Sequence, residues 1–164
     1  MNSITITALE AFPLQLEAHY FAIPAEFKHW APTSWDGVPS EPLTAIEQIC
    51  HVRDIEIEGY QVRFRRTLAE HNPTLAAIDT DAFVKQRSYS TSNGLEVLAA
   101  FRNARAQTVT LIKSLKPEQL TRAAAFDGYG SVSLQSLVHY LCSHDQQHLA
   151  GLQWLLGKLT AMRI

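Results

Sequence analysis

The chain has 164 residues, of which 46% are hydrophobic and 18% charged, proportions typical of one globular domain with a buried core. The formal net charge is −2 and the pI about 6.4, so the composition gives no reason to expect nucleic acid or a membrane as a partner. No apolar run is long enough to span a membrane and the first residues lack a signal-peptide pattern, so we expect a cytoplasmic protein.

The first predicted helix covers about residues 5–22, where apolar side chains recur every three or four positions. Pro13 lies inside this stretch and is expected either to kink the helix or to mark its true start. The second predicted helix has Ser40 as its N-cap and Pro42 in its first turn. It should end before Asn72-Pro73, because the residue before a proline disfavours helical geometry.

Residues 72–92 form a long connection between the second and third helices, and their weak periodicity predicts an irregular segment with a short helix near residues 81–85. A connection of this length in a small domain often carries function. The third predicted helix begins near Asn93, which with Glu96 three residues later resembles a capping box. It should end at Lys116-Pro117.

The fourth predicted helix starts at Ser131 or Ser133 and runs to about residue 159. No segment shows the alternation of a strand. Four long amphipathic helices predict an all-α four-helix bundle that occupies residues 1–164 as a single domain. The long connection between the second and third helices allows a crossover in place of a simple up-and-down topology.

The fourth helix carries the most informative pattern in the chain, because His144 and His148 lie one helical turn apart on the same face. Chance alone gives roughly 0.3 such pairs for a chain with this many histidines, so the spacing by itself is a weak signal. Both histidines also lie in line with the apolar stripe, where an unpaired imidazole would leave buried nitrogens unsatisfied. The alternative is a pair of satisfied core or interface histidines.

A third histidine, His51, borders the apolar stripe of the second helix, and facing helices of a bundle can bring it to the other two. Three neutral imidazoles with an open position are a common way to build a reactive metal site. Such an ion could lower the pKa of a bound water or deprotonate a bound thiol. Imidazole suits zinc, nickel, iron or copper. The alternative is a partly exposed His51 paired with Asp54.

Asp54 and Asp145 are the candidate catalytic residues, because each lies close in sequence to a candidate ligand and could orient it or move a proton. The basic cluster of Arg63, Arg65 and Arg66 is interpreted as a solvated helix face rather than a phosphate site. The stretch from His144 to His148 is similar to the zincin pattern, but it has Asp where zincins have the general-base Glu, which argues against a protease.

Four segments resemble motifs of the DinB-like, YfiT-like family, and the resemblance covers nearly the whole chain, from Leu9 to Leu155. Residues 47–56, Glu-Gln-Ile-Cys-His-Val-Arg-Asp-Ile-Glu, resemble the family motif in which a histidine precedes an aspartate and a glutamate. The matches in the linker, the third helix and the closing motif are Asn72–Asp79 with Tyr89, Phe101 with Arg105, and His144 with His148.

The resemblance implies a DinB/YfiT-like four-helix bundle in which His51, His144 and His148 hold a divalent metal ion, with zinc, nickel and iron as candidates. It also implies a metal-dependent enzyme acting on a small-molecule substrate, since family members include low-molecular-weight-thiol S-transferases and others are described as metal-dependent hydrolases. Members often dimerise, so a homodimer is expected. The alternative is a non-catalytic helical module that binds a small ligand or a partner.

Overall fold

The structure, a computed structural model, describes residues 2–162. In chain order its helices are α1 (Ser3–Ala22), α2 (Ala45–Asp54), α3 (Gln61–Ala69), α4 (Thr80–Gln86), α5 (Gly94–Ser114), α6 (Pro117–Leu120) and α7 (Leu134–Ala161). A π-helical segment, Ile55–Tyr60, joins α2 directly to α3, so that the two form one long helix. The predicted four-helix fold is confirmed, with α1, α2–α3, α5 and α7 as the bundle.

The bundle does not have a simple up-and-down arrangement. Helix α1 packs mainly against α5 and α7, and α2–α3 packs mainly against the same two helices. Consecutive helices α1 and α2–α3 therefore lie diagonally across the bundle, as long connections allow. No helix in the described part of the chain is long and apolar enough to cross a membrane.

A small sheet, which the sequence did not predict, lies at one end of the bundle. Its strands are β1 (Thr74–Leu75), β2 (Ala123–Phe126) and β3 (Gly130–Ser133). Strands β2 and β3 form an antiparallel hairpin, and β1 pairs with β2 in parallel. Strands of two to four residues are too short to show an alternating pattern, which is why periodicity missed them.

The start of the second helix also differs from the prediction. Thr44, not Ser40, is the N-cap, and it forms a capping box in which its backbone N–H and its hydroxyl donate to Glu47 Oε2 at 2.9 and 2.7 Å. Ser40 and Pro42 therefore precede the helix. The predicted Asn93 cap is confirmed, because its side chain accepts from the backbone N–H groups of Leu95 and Glu96.

Two apolar clusters fill the bundle, one around residues 149–159 of α7 and the other around residues 134–141. Between them lies a layer of buried polar side chains. We call it the polar layer, and its members are His51, Asp54, Glu56, Arg105, Asp145 and His148. Burying so many polar groups is costly unless each finds a partner, so their contacts define the site.

Candidate metal centre

Three histidines meet at the edge of the polar layer. The Nε2 atom of His144 lies 3.1 Å from that of His51 and 3.1 Å from that of His148, and the three donor atoms lie within 4.8 Å of one another. We call these three residues the histidine cluster. His51 comes from α2, and the other two lie one turn apart on α7, as their spacing predicts.

The two 3.1 Å separations in the histidine cluster fit a metal ion. Metal–nitrogen bonds of about 2.0–2.1 Å at octahedral or tetrahedral angles place two ligand nitrogens about 2.9–3.4 Å apart. A neutral imidazole nitrogen offers one proton or one lone pair, so His144 Nε2 cannot satisfy both of its neighbours by hydrogen bonding alone. One cation would accept all three lone pairs.

Gln48 fixes the orientation of His148. Its side-chain oxygen accepts the Nδ1 proton of His148, which leaves the Nε2 lone pair of His148 pointing into the cluster. The amide nitrogen of Gln48 in turn donates to Ser40 Oγ at 2.8 Å. Gln48 lies one turn before His51 on the same helix, a spacing from which sequence reasoning could have identified it.

The environment keeps the histidine cluster in the form that binds metals. Burial lowers the pKa of His51, and burial together with the neighbouring imidazoles lowers the pKa values of His144 and His148 well below the ordinary value. At neutral pH all three rings are therefore neutral. The Nδ1 atom of His51 is the one buried side-chain nitrogen or oxygen in residues 2–162 without a hydrogen-bond partner.

A carboxylate that the sequence did not single out lies beside the histidine cluster. The side-chain oxygens of Glu41 lie 3.8 Å from His51 Nε2 and 3.5 Å from His148 Nε2. Glu41 belongs to the loop before α2, and its side chain is 40% exposed. Nothing in the local sequence marks it, because its position depends on how this loop folds over the bundle.

The two predicted catalytic aspartates are engaged elsewhere in the polar layer. Asp54 accepts hydrogen bonds from Arg53 Nε at 2.6 Å, Arg87 Nη1 at 3.0 Å and Tyr89 Oη at 2.8 Å. His51 is 1% exposed and makes no hydrogen bond to Asp54, so the interpretation as a partly exposed pair is wrong. The catalytic role of Asp54 stays a prediction.

Asp145 forms a buried salt bridge instead of accepting from an imidazole. Its two oxygens accept from Arg105 Nη1 at 2.6 Å and Nη2 at 2.9 Å, and the same guanidinium binds Glu56. Burial raises the pKa of Asp145 to about 7, against the opposing charge of Arg105. Its catalytic role also stays a prediction.

Arg105 further explains how α1 tolerates its internal proline. Pro13 has no N–H, so it leaves the carbonyl of Leu9, four residues earlier, without its helical partner. Arg105 Nη1 donates to that carbonyl at 3.3 Å. The salt bridge therefore ties α1, α2–α3, α5 and α7 together around the histidine cluster.

A cavity of ≈ 160 Å³ opens beside the histidine cluster. Its lining includes Glu41, His51, His144 and the aromatic rings of Tyr60, Phe126 and Tyr129. Ala77, Ile78 and Thr80 of the long connection form part of the wall, in agreement with a functional connection. We call it the site cavity.

Arg63 also lines the site cavity, which corrects its interpretation as part of a solvated basic face. The residue is 7% exposed, whereas Arg65 is exposed as expected. The Arg63 guanidinium carbon lies 4.4 Å from the ring centroid of Phe126 and 5.1 Å from that of Tyr60. After Gln48 and Glu41, it is a third site residue that the sequence interpretation missed.

Comparison with known proteins identifies a family for this chain and a solved structure of similar fold. The family model of the DinB superfamily matches residues 8–152. A similar solved structure is that of YfiT from Bacillus subtilis, described as a probable metal-dependent hydrolase with an unusual four-helix bundle topology, with a TM-score of 0.84 and 19% identity over 98% of this chain and 90% of that chain. At this identity the likeness shows the fold. No curated protein matches the sequence.

Proposed function

We propose that this chain, which belongs to the DinB superfamily, is a metal-dependent hydrolase of small molecules. The observation that carries the proposal is the convergence of three imidazole nitrogens beside a cavity, with a carboxylate at its rim. The description of YfiT as a probable metal-dependent hydrolase supports the same class of reaction.

Each part of the site has a separate task in this proposal. His51, His144 and His148 hold a divalent ion, and Gln48 orients His148. When bound, the ion supplies Lewis-acid chemistry and lowers the pKa of a water ligand. The buried walls around the histidine cluster limit the access of bulk water.

Glu41 is the residue that we propose as general base. Its oxygens lie 3.8 Å from His51 Nε2 and 3.5 Å from His148 Nε2, so a water molecule at the open side of the histidine cluster would be within reach of its carboxylate. Partial exposure of Glu41 lets the proton pass on to solvent. Asp54 and Asp145 form salt bridges with arginines, so in this proposal they fix the packing of the helices and do not act as the base.

The first test is the metal content of the purified protein, measured by elemental analysis. We expect about one divalent ion per chain in the wild type and a large loss in His148→Ala, which removes one of three ligands. The matched control is His139→Ala, because His139 is exposed on the same helix and lies outside the histidine cluster. Equal metal contents in the two variants would contradict the assignment of the ligands.

The second test separates hydrolysis from the other predicted functions. A panel of activated esters and amides is assayed before and after chelation, and an electrophilic probe is assayed with low-molecular-weight thiols. Chelator-sensitive hydrolysis supports the proposal. Turnover that requires a thiol would instead support the S-transferase predicted from the family resemblance, and a metal-free, inactive protein would support a non-catalytic binding module.

A further inference from the structure

Arg63 is buried and forms no salt bridge with a carboxylate among residues 2–162. Its one hydrogen bond in the structure runs from Nη2 to the carbonyl of Ala76 at 3.2 Å. Arg105 is similarly buried, but it binds two carboxylates. A buried guanidinium without an anionic partner destabilises the folded state, so we expect Arg63 to have a function that compensates for this.

Arg63 lies at the site cavity with part of its hydrogen-bonding capacity unused. Its Nε and Nη1 groups donate no hydrogen bond to residues 2–162, so they are available to a ligand. Arg63 lines the same cavity as His51 and His144. Its charge also helps to lower the pKa of His144, after burial and the charges of His51 and Arg105.

The π-helical segment brings Arg63 to this cavity. Arg63 follows His51 by twelve residues, and in an uninterrupted α-helix such residues would point about 120° apart. The π-helical segment Ile55–Tyr60 takes more residues per turn and removes much of this angle. Such segments frequently occur at functional sites.

Gly59, inside the π-helical segment, leaves room for the Arg63 guanidinium. A Cβ atom at Gly59 would lie 3.1 Å from Arg63 Nη1 and 3.2 Å from Ile78 Cδ1. Any larger side chain at this position would therefore push Arg63 or the wall formed by the long connection. The missing side chain at Gly59 therefore provides space for the guanidinium.

We propose that Arg63 binds the carboxylate of a small monoanionic substrate whose reacting group lies at the histidine cluster. A guanidinium presents a planar fork of N–H donors that matches a carboxylate. Glu41 and Asp127 line the same cavity, so a single negative charge suits the site better than the two charges of a phosphate monoester. The rings of Phe126, Tyr60 and Tyr129 provide an apolar wall for the rest of the substrate.

This inference rests on the proposed function, because it places the reacting group beside the bound ion. Its test is a binding measurement that needs no turnover. Benzoate and benzamide are suitable probes because they have nearly the same shape and differ in charge. Each is titrated calorimetrically into zinc-loaded protein and into chelator-treated protein, since a carboxylate can also bind the ion directly.

We expect benzoate to bind at least about 10-fold more tightly than benzamide in both preparations, as a charge-assisted hydrogen-bond pair predicts. Arg63→Met should reduce the affinity for benzoate by about 10-fold or more and leave that for benzamide unchanged. Arg65→Met, an exposed substitution in the same helix, is the control and should change neither. Arg63→Lys keeps the charge and should give an intermediate affinity, which provides a second variant if Arg63→Met does not fold.

Equal binding of benzoate and benzamide by the wild type would overturn the inference, as would benzoate binding that does not depend on Arg63. Inorganic phosphate that binds more tightly than benzoate through Arg63 would overturn the carboxylate assignment. The wild type could show no chelator-sensitive hydrolysis and still bind benzoate through Arg63. That result would overturn the hydrolase proposal and leave the anion site standing. The two proposals therefore fail separately.

Discussion

The side-chain oxygen of Gln48 accepts the Nδ1 proton of His148, so this glutamine decides which nitrogen of His148 faces the histidine cluster. The contact joins α2 to α7 across the bundle. Because the Gln48 amide also binds Ser40, it connects the loop that carries Glu41 to a proposed metal ligand.

Gln48→Leu should weaken metal binding by about 10–100-fold, since a ligand histidine without its hydrogen-bond partner loses its fixed orientation. The measurement is competition with a chromogenic chelator. Gln146→Leu, an exposed substitution on α7, should leave the affinity unchanged. An unchanged affinity in a folded Gln48→Leu variant would show that this contact does not support the site.

Two glycines of α7 form a matched pair. A Cβ at Gly151 would lie 2.3 Å from Ser40 Oγ and 2.7 Å from Gln48 Nε2, whereas one at Gly157 would meet nothing within 4 Å. Gly157→Ala should therefore stabilise the protein by up to about 1 kcal/mol through helix propensity. Gly151→Ala should stabilise the protein less, because close contacts with Ser40 and Gln48 offset the gain in helix propensity. It should also lower the metal affinity.

Chemical denaturation and chelator competition test this pair of variants. Equal stabilisation by both substitutions, with unchanged metal affinity, would contradict the close packing of Ser40 and Gln48 on α7.

Glu41→Gln should lower kcat/KM for a hydrolysed ester by about 10²–10⁴-fold, because the amide cannot accept a proton as the carboxylate does. The metal content should remain that of the wild type, since the three imidazoles stay in place. Glu26→Gln, at an exposed position in the 3₁₀ turn before α2, is the control. If Glu41→Gln lost its metal instead, Glu41 would be a ligand rather than a base.

Asp54→Asn should destabilise the protein by about 2–3 kcal/mol at neutral pH, because it replaces a buried carboxylate that accepts from two arginines and a tyrosine. Burial alone would raise the pKa of Asp54, but the hydrogen bonds from Arg53 and Tyr89 and the charge of Arg87 hold it below its ordinary value. Its contribution to stability is therefore fully present above the ordinary pKa and is lost as pH falls through the depressed value.

The difference in unfolding free energy between wild type and Asp54→Asn should accordingly shrink as the pH falls below about 4. Urea unfolding at several pH values measures it. The exposed Asp36, which makes no ion pair within residues 2–162, provides the control substitution Asp36→Asn. A difference that stays constant down to pH 2 would contradict the lowered pKa of Asp54 in the folded protein.

Arg105→Met should cost about 3–5 kcal/mol of stability, because it leaves the buried carboxylates of Glu56 and Asp145 without their cation. It also leaves the Leu9 carbonyl beside Pro13 without a donor. Arg102→Met, one turn earlier on α5, removes an exposed ion pair with Glu17 and should cost less than about 1 kcal/mol. Similar urea midpoints for the two variants would rule out this role for Arg105.

Local sequence patterns predicted the helices well, because a helix with one buried face repeats its apolar residues at the helical period. The same patterns missed the three short strands and placed the start of the second helix at Ser40 instead of after Thr44. They also assigned Arg63 to solvent, because it belongs to a cluster of basic residues, whereas the π-helical segment before it turns it toward the cavity.

The sequence by itself determined the bundle and the pairing of His144 with His148, because both depend on residues a few positions apart. The sequence also proposed His51 as their partner, and the tertiary structure brings it to them. Only the tertiary structure decided which further groups join: Glu41 and Gln48 at the histidine cluster, and Arg63 in the cavity. The physical reason is that helix periodicity fixes directions within one helix. The meeting of side chains from different segments depends on how helices and loops pack, and no local pattern records that.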